Sequence, residues 1–77
     1  MPVIDRIGPY RILFYLREIK RPHVHVQRDD IGAKIWLDTV RIARNEGFTA
    51  RELNKALLIV KMNREKYMEA WNDKFGD

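Results

Sequence analysis

The chain has 77 residues, which suits one domain, residues 1–77, built around one small core. Hydrophobic residues make up 45% and charged residues 34%, a composition that folds rather than one that stays disordered. Fifteen Lys and Arg against 11 Asp and Glu give a net charge of +4, compatible with a nucleic acid or an acidic protein partner, and the absence of cysteine excludes disulfides, zinc–cysteine sites and thiol catalysis.

A domain this small without disulfide staples points to the cytoplasm. Neither the N-terminal residues nor any later run has the apolar length of a signal core or a membrane span, so no membrane association is expected. No cofactor is expected. A core of this size also invites stabilisation by a partner or by self-association.

In chain order, Ile12-Leu13-Phe14-Tyr15-Leu16 follows the Gly8-Pro9 turn signal and is too short and too rich in β formers for a helix. It reads as a strand. Pro22 marks the next boundary because it disfavours a helical Arg21. From His23 to Arg28 the residues alternate: Val24 and Val26 point one way, toward the core, while His23, His25 and Gln27 point the other. Asp29-Asp30-Ile31-Gly32 has hairpin turn chemistry, and Ala33–Leu37 reads as a third strand. Val40 and Ile42 alternate, so Asp38–Ala43 is either a short edge strand or a return loop, and Asn45-Glu46-Gly47 is a second turn.

Thr49 with Glu52 forms a capping-box pattern, and Phe48 can staple onto Leu53, so a helix starts here. Leu53, Leu57, Val60, Arg64, Tyr67 and Trp71 recur at alternating spacings of four and three, widened by Ala56, Ile59 and Met68. Arg64 alone interrupts the stripe, and it is placed at the core's edge with its head in water. Uninterrupted from Ala50 to Lys74, such a helix is about 37 Å long. That exceeds the width of a three- or four-stranded sheet, so Tyr67, Trp71 and Phe75 are expected to overhang it. There they either serve as a partner-binding surface, homo-oligomerisation included, or are covered by Pro2–Ile7. The expected fold class is α+β: a small antiparallel sheet of three or four strands followed by one long C-terminal helix on one face.

Taken together, "RIGPYRILFY", "RPHVHV", "AKIWLDTVRIARNEGFTARELNKALLIV" and "AWNDKFG" resemble a family of small bacterial and archaeal proteins catalogued as domain of unknown function 4160. The most specific element is Pro22-His23-Val24-His25-Val26. Arg21 stands where the family commonly has a further proline, and Arg17-Glu18-Ile19-Lys20 lacks the upstream histidine of many members. No reaction comes with the resemblance. It implies a toxin–antitoxin-like module, since such proteins are similar in size and gene context to components of such pairs. The expected partner is therefore a cognate small protein encoded nearby.

His23 and His25, two apart on a strand, have Cα atoms roughly 6.5–7 Å apart on one face. That spacing suits a pair flanking a phosphate, one neutral ring taking a proton and one protonated ring giving one, the logic of a metal-independent ribonuclease. Lys20, Arg21 and Arg28 are the candidate phosphate holders. Metal chelation needs at least a third ligand, from Glu18 or Asp29; Glu18 must fold back across Pro22 and Asp29 lies about 13 Å along the strand from His25, so no metal site is expected. Against both stands the plainer possibility that the histidines are half-exposed strand residues packing on sheet neighbours. Trp36 beside Lys34 offers a stacking face for a base, or is a half-buried sheet aromatic; Tyr15 and Tyr67 are first of all packing residues. Two functions lead, ahead of a weaker third, a metal-dependent binding protein. One is a module that binds its cognate protein, and RNA as a further candidate, through the histidine face, with ribonuclease chemistry in reach. The other is a non-catalytic interaction module with structural histidines.

Overall fold

The computed structural model describes residues 3–15 and 21–76. Five strands, β1 (Val3–Ile7), β2 (Tyr10–Leu13), β3 (His23–Arg28), β4 (Ile31–Trp36) and β5 (Arg41–Glu46), pair antiparallel in sequence order, and two helices follow, α1 (Ala50–Met62) and α2 (Arg64–Phe75). The α+β class is as expected, but the sheet has five strands rather than three or four, and two helices replace the single long one. The added strands are the two edges. β1 returns onto β2 through a turn in which Gly8 takes φ 57°, and β5 is the strand alternative for the segment after Asp38.

The helix divides at Asn63 without proline or glycine. The Asn63 side chain donates to the Ile59 carbonyl at 2.9 Å, and its backbone N–H is shared between the carbonyls of Ile59 (3.1 Å) and Val60 (3.3 Å). A side-chain amide competing for a helix carbonyl bends the helix locally. Arg64, next in line, does not extend to water as expected. Its Nε donates to the Leu37 carbonyl at 2.7 Å and its Nη2 to the Asp38 carbonyl at 3.4 Å, tying the start of α2 to the end of β4.

At the other end of α1, Thr49 Oγ1 accepts from the Glu52 N–H at 3.3 Å, as the capping pattern requires. The Glu52 carboxylate turns to Arg28 Nε at 2.8 Å. The turn before it is closed by Asn45, whose amide exchanges two 2.9 Å hydrogen bonds with the Phe48 backbone, and by Gly47 at φ 108°, a conformation that only glycine adopts without strain.

The core lies between the helices and the valine side of the sheet. Ile12, Phe14, Val24, Val26, Ile35 and Leu37 meet Ala56, Val60, Tyr67 and Trp71, all buried. The helical stripe is thus core as read, and Tyr67 and Trp71 do not overhang: they are 0% and 4% exposed. Phe75 is half-buried, its ring centroid 4.5 Å from Trp71 and 5.7 Å from Phe14. These three aromatics therefore do not form an exposed partner surface. The alternative, in which the N-terminal segment folds back onto them, is met in part, since Val3–Ile7 returns as a strand and reaches Tyr67. Pro2 lies outside the described residues, and Val3–Ile7 is a strand whose Asp5 accepts from the Tyr67 hydroxyl at 2.9 Å and from Lys66 Nζ at 3.2 Å.

Val26→Ala should destabilise the fold by about 1–3 kcal/mol, lost burial plus a cavity, in a denaturant melt. A pH titration tests the Asp5 contacts. Partial burial works to raise the Asp5 pKa, but the hydrogen bonds from Tyr67 and Lys66 outweigh it and hold the carboxyl below its ordinary value. A depressed folded pKa stabilises the fold above the unfolded-state value of about 4 and loses that stabilisation as pH falls through the folded value. Stability of the wild type should therefore fall more steeply below about pH 4 than that of Asp5→Asn. Parallel acid limbs in urea melts would show that these contacts carry no linkage.

Candidate functional site: the histidine face of the sheet

Strand register sorts the side chains of the second sheet face into three cross-strand rows. In one, Leu13, His25, Lys34 and Arg44 stand side by side; in another, Arg6, Arg11, Gln27 and Gly32; in the third, His23, Trp36 and Arg41. The alternation read in β3 therefore holds, with the valines under the helices and both histidines on the other face.

What the sequence did not anticipate is their burial. His23 and His25 are 1% and 2% exposed, not half-exposed strand residues. Tyr15 stacks on His25 with ring centroids 3.6 Å apart and planes 15° from parallel, and its hydroxyl accepts from Gln27 Nε2 at 2.8 Å. His23 meets His25 edge-on at 5.2 Å, Trp36 at 5.9 Å and Trp71 at 5.1 Å. Its Nδ1 lies 2.7 Å from the Arg21 carbonyl oxygen, an acceptor, so the Nδ1 proton is held there. Trp71 also meets Phe14 at 5.2 Å, so the end of α2 joins the core to the histidine cluster.

The expected phosphate holders are not brought together. Lys20 lies outside the described residues. Arg28 follows the parity of the valines, away from the histidines, and pairs with Glu52. Arg21 is on the histidine side. It forms two 2.9 Å hydrogen bonds to the Asp38 carboxylate, and its guanidinium carbon sits 4.2 Å from the Trp36 ring centroid. The hydrogen bond from Arg21 holds the Asp38 carboxyl below the usual range. Lys34 Nζ is 4.8 Å from the same ring, so Trp36 is a half-buried sheet aromatic already faced by two cations.

Residues the sequence reading passed over complete the face. Arg6, Arg41 and Arg44 are exposed and Arg11 half-exposed. Two pairs of like charge stand directly opposite across strands, Arg6 with Arg11 and Lys34 with Arg44. Their common face follows from strand register, with Arg41 and Arg44, three apart, brought together by the irregularity opposite Lys34 and Ile35. Beside His25 opens a cleft of about 220 Å³, lined by Tyr15, Gln27, Asp29, Asp30 and Glu46. Gly32 lies in its wall, where a Cβ would approach the Val26 carbonyl oxygen to 2.8 Å. Among the described residues no group of three or more His, Asp or Glu side chains is placed to hold a metal ion.

The family model described as Domain of unknown function (DUF4160) matches residues 10–72, most of the chain. The chain belongs to that family. The matched span runs from β2 to near the end of α2. It takes in the histidine cluster whole and leaves β1, with Arg6, outside. No curated protein and no solved structure matches the chain.

The Tyr15–His25 stack is open to a double-mutant cycle. Tyr15→Ala, His25→Ala and the double variant should give a coupling energy of about 0.5–1.5 kcal/mol in denaturant melts. Additive losses would show that the two rings are neighbours without mutual stabilisation.

Proposed function

We propose that this chain is a small cytoplasmic binding module of a toxin–antitoxin-like pair, and that it takes RNA on the histidine-bearing face of its sheet. The observation that carries the reading is a pair of like charges placed directly opposite each other on that face, Arg6 with Arg11. Such a pair destabilises a free sheet and becomes favourable when an anion lies across it. Arg41 extends the same face past Trp36, where Arg21 is already held by Asp38. A phosphate backbone matches a row of spaced cations, and its affinity comes chiefly from displaced counterions. The setting in a two-protein module, with a cognate small protein as its partner, rests on the family resemblance.

The same geometry speaks for binding rather than cleavage. An acid–base pair must reach a phosphate from either side, whereas His23 and His25 touch each other and are shielded from solvent. That favours structural histidines, which clamp Tyr15, Trp36 and Trp71 around the start of β3 and so fix the basic strip.

A labelled single-stranded RNA pool should be retained at low salt and released steeply as salt rises. Arg41→Glu with Arg44→Glu, both exposed, should weaken retention by about tenfold or more in a variant that still melts cooperatively. The RNA should be recovered intact. If the wild type retains no RNA at low salt, the reading fails; if it cuts RNA and His25→Ala abolishes the cutting, the histidines are catalytic after all.

A further inference from the structure

We infer that the outward face of α1 and the turn between β4 and β5 form a docking groove for an acidic amphipathic helix of a partner protein. Two of the exposed large hydrophobic residues, Leu58 (56%) and Met62 (76%), lie four apart on this one face. Spacing of four aligns them along α1. Next to them a groove of about 480 Å³ runs between the helix and the turn, lined by Thr39, Val40, Asn54, Leu57, Leu58 and Lys61.

The turn wall is unusual in its backbone. Val40 has φ 52°, in the left-handed region that a β-branched residue adopts only under strain. A glycine or asparagine would relax it; the valine packs against the core and gives the groove an apolar wall. Strain of this kind concentrates at sites that bind something. The wall is also fixed in place, since Arg64 holds the carbonyls of Leu37 and Asp38, and Asp38 in turn accepts from the Thr39 N–H at 2.8 Å. A groove fixed in advance loses little entropy on being filled.

Charge selects the occupant. The exposed residues of α1 include Arg51, Lys55 and Lys61, whereas its single carboxylate, Glu52, faces Arg28. A helix carrying leucines on one stripe and glutamates beside them would bury its apolar side on Leu57, Leu58, Met62 and Val40 and bring its carboxylates to those cations. This surface is separate from the histidine face, and neither reading depends on the other.

The test uses the full chain, labelled with ¹⁵N. The probe is a synthetic helical peptide with leucines at i, i+3, i+4 and i+7 and glutamates elsewhere. A second peptide keeps the leucines and replaces each glutamate by lysine. The acidic peptide should shift the amides of Val40, Leu58, Lys61 and Met62, and the basic one should not. Leu58→Glu with Met62→Glu should weaken binding by about tenfold or more. Because both residues are exposed, that variant should keep the wild-type Tm, and it should keep the wild-type RNA retention. Equal binding of both peptides, shifts that map elsewhere, or no binding of the acidic peptide overturns the inference. So does self-association in sedimentation that Leu58→Glu abolishes, which would make a second copy the occupant, and so does capture by anionic vesicles in preference to the peptide.

Discussion

Val24 and Val26 enter the space beneath α1 and α2, and the pairing of every other strand is tied to that choice. A strand shifted by one residue would turn its whole hydrophobic set outward. With β3 at the centre of five strands, its parity propagates sideways: Ile12 and Ala33 stand beside Val26, and Ile35 beside Val24. The same propagation, read for the other face, places Lys34 and Arg44 beside His25. Packing on one side of the sheet thus fixes the charge pattern on the other, although no residue of that pattern touches the core.

Much of this was legible in the sequence because it is local. The alternation of His23-Val24-His25-Val26, the cap at Thr49 and the stripe from Leu53 to Trp71 each depend on residues a few positions apart. The edges were harder. Val3–Ile7 has no clean alternation, since a bulge between Val3 and Asp5 breaks it, and β5 carries another irregularity opposite Lys34 and Ile35. Bulges twist an edge and hide it from a period-two reading. The helix break was hidden for a different reason. Its cause is a single side-chain amide that bonds back to Ile59, in a stretch whose apolar periodicity continues across it.

Burial of the histidines belongs to a third class, contacts made at long range. A strand position opposite the helix-covered face is expected to be half-exposed, and His23 and His25 are not. Their rings are enclosed by Tyr15, Trp36 and Trp71, drawn from the end of β2, the end of β4 and the last turns of α2. No spacing rule links those positions. The same long-range closure removes Tyr67 and Trp71 from the surface, and Tyr67 gains Asp5 as a partner 62 residues away. With burial and that carboxylate both opposing ionisation, the Tyr67 hydroxyl is pushed well above its ordinary pKa and stays a hydrogen-bond donor.

The carboxylates explain how a modest net charge yields strongly basic surfaces. Asp5 is held by Lys66 and Tyr67, Asp38 by Arg21, Glu52 by Arg28 and Glu46 by Arg44. Two of these contacts, at Asp5 and Glu52, tie a strand to a helix, so the negative charge they carry serves the fold. Two groups of the remaining cations stand on separate surfaces. Arg6, Arg11 and Arg41 lie on the histidine face, and Arg51, Lys55 and Lys61 on the outside of α1. The first collection is spread over a broad sheet with aromatic rings among the charges. The second flanks an open, partly apolar groove. A flexible phosphate chain suits the one, and a helix with an acidic border suits the other, because each surface pairs its charges with the shape that its partner would fill.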